Sequence, residues 1–162
     1  MKLQTFWRVA VAALVVGLAG CGKSDNQVGG FSNDLLGNEI AIEALPDPAI
    51  PSVVCHLAYF NRSFLDRLKQ GNWFENPSNS AVSCQRTGPI SLKGVSLAAS
   101  GEEIFSQKQS LFFKRVALRR VIDVANRSIV YVAYSRELVE GSAKIAMSSV
   151  ALTEQEAQAA AK

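Results

Sequence analysis

LFFKRVALRRVIDVANRSIVYVAYS, residues 111–135, is the strongest β-forming stretch of this chain. Residues 111–124 are rich in Phe, Val, Leu and Ile, and residues 128–135 have a similar composition. A short turn at 125–128 separates the two runs. Aromatic and β-branched runs on both sides of such a turn predict a β-hairpin with long arms.

The first arm of this hairpin does not keep its apolar residues on one face. Phe112 and Lys114 have the same parity as Arg120 and Ile122, and side chains two residues apart share a face of a strand. A β-bulge or a break near Ala117 would resolve the conflict, and the sequence predicts one there.

Basic residues are concentrated in the same region. From 106 to 136 the chain has seven Lys and Arg residues but one acidic residue, Asp123. An ordinary solvated strand face would explain this charge. The other explanation is a surface for an anionic envelope component or a partner protein, for which the candidates are Lys114, Arg115, Arg119, Arg120 and Arg127.

The rest of the chain adds shorter β segments. Residues 39–44 alternate apolar with polar or small residues, which predicts a strand. A second strand is predicted at 53–60, which is apolar on both faces and therefore expected to be buried. Residues 144–152 predict a final strand, and residues 81–86 fit either a strand or a helical turn.

Helices are few. Apolar spacing predicts a short helix over 63–70, and the Ala, Gln and Glu residues of 153–162 predict a polar tail that is frayed or helical. The predicted fold class is mainly β (β-rich α+β), with an antiparallel curled sheet or sandwich and one or two short helices. Residues 39–152 would form this domain.

The N-terminus has the parts of an export signal. Lys2 and Arg8 precede an apolar run at 9–18, and these ten residues are too few to span a bilayer. The tetrapeptide that follows, Leu-Ala-Gly-Cys at 18–21, resembles the lipobox of bacterial lipoproteins. The resemblance implies removal of the signal peptide and acylation of Cys21. The alternative is an ordinary cleavage site at which Cys21 is only a small residue.

An acylated Cys21 would keep the protein on a membrane, because two or more acyl chains anchor a protein stably. Residues 21–38 are polar and Gly-rich, which predicts a flexible tether. Gly22 stands where an aspartate would retain a lipoprotein in the inner membrane. We therefore expect a lipid-anchored protein of the bacterial envelope that faces the periplasm from the outer membrane.

Composition predicts one domain of nearly neutral charge. Removing residues 1–20 leaves 162 − 20 = 142 residues, the size of one ordinary domain. The removed segment contains two of the 17 basic residues and none of the 14 acidic ones, so the mature charge is 15 − 14 = +1. This balance and the export signal argue against nucleic acid as a partner.

The cysteines predict one disulfide. With Cys21 assigned to lipid, Cys55 and Cys84 remain in a compartment where disulfides persist. Closing the loop between them would stabilise the fold by about 3–4 kcal/mol in the chain-entropy model. The alternative is two buried free thiols.

No catalytic, cofactor or metal motif is evident in the sequence. The one histidine is His56, and in a strand its side chain points away from that of Cys55, so the two cannot form a Cys–His dyad. One histidine and two cysteines are too few for a zinc site. No phosphate-binding loop or dinucleotide fingerprint occurs. We therefore predict no enzymatic activity, cofactor or metal.

Several stretches resemble the CreA family. They are AVSCQRTGPI at 81–90, SLFFK at 110–114, YVAYS at 131–135 followed by VEGS at 139–142, and the VVC of 53–55. The likeness runs from about residue 38 to residue 152. It implies an envelope protein with one bonded pair of cysteines, and it brings no catalytic residues. Family members carry an ordinary cleaved signal where this chain has a lipobox.

Three functions are compatible with these features. The first is a non-enzymatic envelope factor that binds a protein or an envelope component from its lipid tether. The second is a small-ligand-binding module of the periplasm. Its candidate lining residues, which would equally fit a hydrophobic core, are Phe112, Phe113, Tyr131 and Tyr134. The third is an unrecognised hydrolase, to which no residue can be assigned.

Overall fold

The computed structural model describes residues 26–63, 66, 68–69, 80–105, 116–136 and 144–160. Their strands are β1 (Gln27–Ser32), β2 (Glu39–Pro46), β3 (Val53–Asn61), β4 (Ser80–Arg86), β5 (Glu102–Phe105), β6 (Val116–Asp123), β7 (Ser128–Ser135) and β8 (Ile145–Ala151). Helix α1 follows at Glu154–Ala160. Within these ranges, no helix has the length and hydrophobicity needed to cross a membrane.

The strands form two antiparallel sheets of four strands each. The first sheet has the order β1-β2-β3-β4 and the second has the order β5-β6-β7-β8, so strands that follow one another in the chain are neighbours. Antiparallel neighbours need no crossover connection, which suits strands that follow one another in the chain. The predicted mainly β class with antiparallel sheets is confirmed.

The hydrophobic core is built from the inner faces of both sheets. The first sheet contributes Leu45 and Leu57, and the second contributes Leu118 and Ile129. Side chains alternate between the two faces of each strand, so buried residues recur at every second position through most of β2, β3, β6 and β7.

The two sheets also meet edge to edge at β4 and β8. The backbone N–H of Cys84 donates to the Ser148 hydroxyl at 2.8 Å, and the Arg86 guanidinium donates to the Ala151 carbonyl at 3.4 Å. The sheets are therefore joined along one side as well as across the core.

Most predicted strands are present. Strands lie at 39–46, 53–61 and 145–151, and residues 81–86 belong to a strand rather than to a helical turn. The expectation that 53–60 is buried on both faces is wrong, because one face of β3 is buried and the other is half-buried.

The predicted hairpin is confirmed from Val116 onward. β6 and β7 pair without a register shift from Val116 to Asp123, with the turn at 124–127, and residues 111–115 lie outside the described residues. β6 has no register shift against β7 at Ala117, where the sequence predicts a bulge or a break, and Phe112 and Lys114, whose parity motivated that prediction, lie outside the described residues. A register shift lies opposite this point in β5, between Glu103 and Phe105.

Part of the segment predicted as a flexible tether, residues 21–38, is a strand. Residues 27–32 form β1, which pairs with β2, so the sheet already begins eleven positions before residue 38. Composition alone misled here, because the glycines suggested a flexible linker. Gly29 and Gly30 lie in an edge strand, whose hydrogen bonds go to its neighbour.

The helical predictions have separate outcomes. Of the helix expected over 63–70, residues 66, 68 and 69 are described and helical. The sequence also predicts a loop over 73–80; residues 73–79 lie outside the described residues, and Ser80 already belongs to β4. The tail is helical at 154–160. Its start is capped reciprocally, since the Glu156 N–H donates to Thr153 Oγ1 and the Thr153 N–H donates to Glu156 Oε2.

Candidate functional site

Arg120 is a buried charged residue on the inner face of the second sheet. It shares that face with Leu118 and Ile122, and it is only 3% exposed. Its Nη1 donates to Oδ1 of Asp47, directly after β2 of the first sheet, and its Nη2 donates to Oε2 of Glu102 on β5. This ion pair therefore joins the two sheets through the core.

Asp47 collects further donors at the end of β2. Its Oδ1 also accepts the backbone N–H groups of Ala49 at 2.9 Å and Ile50 at 3.0 Å. Its Oδ2 accepts the hydroxyl of Tyr131 at 2.8 Å, and Tyr131 is fully buried. The carboxylate thus fixes both the turn after β2 and a side chain of β7.

Arg120 and Tyr131 in this cluster each keep a single protonation state. Burial alone would lower the pKa of Arg120, but the hydrogen bond and charge of Asp47, with those of Glu102, raise it above its usual range. Burial and the Asp47 carboxylate raise the pKa of Tyr131 well above its usual range. Arg120 therefore remains a cation and Tyr131 a neutral donor.

This arrangement suits a structural role. Both oxygens of Asp47 are occupied by protein donors, and Asp47, Arg120 and Tyr131 are buried. Removing one member of a buried ion pair typically costs about 3–5 kcal/mol, because the other charge is left unpaired.

Other buried acids also have partners. Tyr59 donates its hydroxyl to Oε1 of Glu43 at 2.6 Å, and Arg62 pairs with Asp66 at 3.0 Å. Among the residues that the structure describes, no group of three or more His, Cys, Asp and Glu could hold a metal ion.

The predicted disulfide between Cys55 and Cys84 is present. The two residues are direct partners on β3 and β4, with 3.9 Å between their Cα atoms. Because the Cys84 N–H points to Ser148 on β8, this is a non-hydrogen-bonded pair, the type with the closer side chains. His56 lies on the opposite face of β3 from Cys55, as the strand periodicity predicted.

The outer face of the second sheet carries an exposed apolar surface. Ile145 and Met147 on β8 are 73% and 70% exposed. Cross-strand pairing places Ile145 beside Tyr134 and Met147 beside Val132, both on β7 and half-buried. Val130 continues the row, and these residues form what we call the β7–β8 apolar face.

Charged residues border the β7–β8 apolar face. Glu103 on β5 forms an ion pair with Arg136, and it also accepts a long hydrogen bond of 3.5 Å from the Tyr134 hydroxyl. Arg119 lies between Glu103 and Val132 in the strand register, and its Nη1 donates to the Ser100 carbonyl at 2.8 Å. An apolar centre with a polar edge is the usual arrangement of a protein-binding surface.

The structure does not bring the predicted basic residues together on one surface. Arg119 is on the outer face, whereas Arg120 points into the core, so including Arg120 in an interaction surface was wrong. Arg127 is exposed at the tip of the β6–β7 turn, with a backbone φ of 52°. Lys114 and Arg115 lie outside the described residues.

Of the four aromatic residues proposed to line a ligand site, the two that the structure describes lie on opposite faces of β7. Tyr131 points into the core and Tyr134 lies on the outer face of the same strand. Phe112 and Phe113 lie outside the described residues. Strand alternation alone therefore separates the two tyrosines.

The sequence of this chain is similar to a known protein family. The family model described as CreA protein matches residues 28–155. Protein CreA of Escherichia coli strain K12 is 37% identical over 116 residues, which cover 70% of this chain and 72% of that protein. Protein CreA of Escherichia coli O157:H7 gives the same values.

This chain belongs to the CreA family. The family match begins inside β1 and ends inside α1, so the CreA domain includes both sheets, the disulfide and the start of the helix. No solved structure matches this chain.

Sequence reasoning missed the acidic residues of the CreA core. Nothing in the sequence around Asp47 or Glu102 marks either residue as a partner of Arg120. The available signal was the parity of Arg120, which matches the buried Leu118 and Ile122. A cation on an inward-facing position requires a buried acid nearby.

Proposed function

We propose that this CreA-family protein is a non-enzymatic factor of the bacterial envelope, held on a membrane by acylated Cys21, that binds another envelope protein. The observation that carries the binding part of the proposal is the β7–β8 apolar face. Its exposed members, Ile145 and Met147, would leave water on binding, and burying apolar area contributes about 25 cal/mol per Å² before the costs of association.

The tether rests on the lipobox at 18–21, and a membrane location follows from it. The outer membrane, facing the periplasm, is the location that Gly22 supports. A non-enzymatic role is supported by the buried Asp47 cluster, in which both carboxylate oxygens of Asp47 accept from Arg120 and Tyr131.

The test is chemical crosslinking in cells followed by purification of the lipidated protein, with three forms compared. Met147→Asp places a charge on the β7–β8 apolar face. Leu97→Asp places the same charge at a 44% exposed leucine outside that face and serves as the matched control. We expect a protein that is captured by the wild type and by Leu97→Asp, and that is lost with Met147→Asp.

Equal capture by all three forms would overturn the assignment of this face. The tether is tested in the same cells, because Cys21→Ser should move the protein from the membrane to the soluble periplasmic fraction. A turnover that disappears when one residue near the face is changed would contradict the non-enzymatic role.

A further inference from the structure

The exposed large apolar side chains are unevenly distributed over the described residues. Of seven, four belong to the first hairpin and the helical residues after β3: Val28, Phe31, Leu35 and Leu68, with exposures of 61%, 58%, 106% and 57%. We call these four residues the N-terminal apolar corner. Isolated exposed apolar residues are common, but a concentration of them marks an interaction site.

Hydrogen bonds hold the parts of this corner together. The Ser63 hydroxyl donates to the Leu36 carbonyl at 2.6 Å, and the Ser63 N–H donates to the Asn38 side-chain oxygen at 2.9 Å. These bonds join the turn between β1 and β2 to the segment that leads to Leu68. The turn that carries Leu35 and the segment that leads to Leu68 are thus joined.

The turn that presents Leu35 is well ordered by its own contacts. Oδ1 of Asp34 accepts the N–H groups of Leu36 at 2.9 Å and Asn38 at 3.1 Å, and its Oδ2 accepts the Asn38 amide at 2.6 Å. The Asn38 side chain is itself buried. Leu35 is therefore held at the tip of a fixed turn with its whole side chain in solvent.

The distance to the expected acylation site limits where this corner can go. Five peptide steps separate Cys21 from Asn26, the first described residue, and a fully extended chain covers at most about 3.6 Å per residue. The start of β1 therefore stays within about 18 Å of the acylated cysteine, whatever path the intervening residues take. A tether of this length keeps β1 close to the headgroups.

We propose that the N-terminal apolar corner rests on the phospholipid bilayer, with Phe31 and Leu35 inserted among the headgroups. This inference depends on the proposed tether at Cys21 and adds a fixed orientation to it. Amphipathic surfaces bind at the headgroup boundary by burying apolar side chains there. The orientation turns the hairpin β1–β2 toward the membrane, while the β7–β8 apolar face belongs to the other sheet.

Depth-dependent quenching of a single fluorophore tests the orientation. The full lipidated protein is placed in vesicles of phosphatidylethanolamine and phosphatidylglycerol that contain a nitroxide-labelled lipid. A cysteine is introduced as Leu35→Cys or, for the control, as Met147→Cys, which is 70% exposed on the second sheet. Each is labelled while Cys55 and Cys84 remain bonded and Cys21 carries its lipid.

We expect a loss of fluorescence at position 35 that is several-fold larger than the loss at position 147. Adding Phe31→Ser should reduce the loss at 35, whereas Leu97→Ser should leave it unchanged. Equal quenching at 35 and 147 would overturn the proposal, because it would mean free rotation on the tether. If the fluorophores at position 35 of two molecules quenched each other and the nitroxide lipid did not quench them, the corner would bind a second copy of the chain. That result would overturn the proposal.

Vesicle flotation separates this result from a failure of the tether. Wild-type protein that floats with vesicles, without lipid quenching at 35, would overturn the orientation and leave the tether intact. Wild-type protein that floats no better than Cys21→Ser would overturn the tether, and the orientation with it.

Discussion

At the scale of single residues, Arg119 and Arg120 are neighbours in sequence but have opposite environments. Arg119 lies on the outer face and donates to backbone carbonyls, while Arg120 is buried against Asp47 and Glu102. Exchanging both for serine would therefore mix a surface effect with a folding defect. The two positions have to be changed separately.

Arg120→Ser should lower the free energy of unfolding by about 3–5 kcal/mol, because it leaves Asp47 buried without its cation. Arg119→Ser should lower it by less than about 1 kcal/mol, since its charge is near the surface. Urea unfolding of both variants measures the difference. Equal losses of unfolding free energy in the two variants would show that the buried Asp47 carboxylate does not need the charge of Arg120.

Gly101 and Gly94 provide a second matched pair. Both have positive φ, of 64° and 78°, so alanine is strained at either position. A Cβ at Gly101 would also collide with the backbone oxygen of Arg120 and with Val121, whereas nothing lies within 4 Å at Gly94. Gly101→Ala should therefore destabilise the fold by about 1–3 kcal/mol more than Gly94→Ala. Thermal unfolding of the two proteins would contradict this if their midpoints fell by the same amount.

The residue scale also shows why part of the site was not predictable. The charge run around Arg120 suggested a solvated surface, and only its parity with Leu118 and Ile122 pointed inward. Its partner Asp47 is 73 residues away in the chain. Only the fold brings these two charges together, and a contact between residues so far apart cannot be predicted from a single sequence.

At the scale of elements, strands with strong hydrophobic patterning were predictable and weakly patterned ones were not. β3, β6 and β7 contain dense β-branched and aromatic runs. β1 has the sequence QVGGFS and β5 has only four residues, and both are held mainly by pairing with a stronger neighbour. Propensity describes a strand's own residues, whereas pairing depends on its partner.

Helix α1 is joined to the first sheet by one carboxylate. Oε1 of Glu156 accepts from Arg86 at 2.6 Å and from the Ile90 N–H at 2.7 Å, and Oε2 accepts from the Thr153 N–H at 2.8 Å. Burial alone would raise the pKa of Glu156, but the hydrogen bonds from Ile90, Thr153 and Arg86 lower it to about 2. The ionised form is therefore the one that holds the helix.

This shift predicts how stability changes with pH. A carboxyl group whose pKa is lower in the folded state stabilises the fold above its unfolded value of 4.5, and that contribution is lost as the pH falls toward about 2. With allowance for solvent screening, we expect Glu156→Gln to cost about 2 kcal/mol at neutral pH. The difference between variant and wild type should shrink between pH 4.5 and 2.

Urea unfolding at a series of pH values measures this difference. Glu154→Gln is the control, because Glu154 is exposed on the same helix and its carboxylate is 4.0 Å from Arg127. A cost for Glu156→Gln that stays constant down to pH 2 would contradict the role of the ionised carboxylate.

At the scale of the whole molecule, we propose a different binding role for each of the two sheets. The first sheet contains the hairpin nearest the expected acyl chains, and the second carries the β7–β8 apolar face. The disulfide, the β4–β8 contact and the Arg120–Asp47 pair connect strands within and between the sheets. In this account, a rigid CreA domain holds one surface on the membrane and offers the other to a protein.

The central claim is that the β7–β8 apolar face binds another envelope protein, and site-specific photo-crosslinking in cells tests it most directly. A photoreactive residue is placed at Val132, Ile145 or Met147, and at the control positions Ala81 and Leu97, which are exposed outside the face. The account predicts one crosslinked species that is strong at the first three positions and weak at both controls. The same yield at all five positions, or a species confined to Ala81 and Leu97, would contradict it.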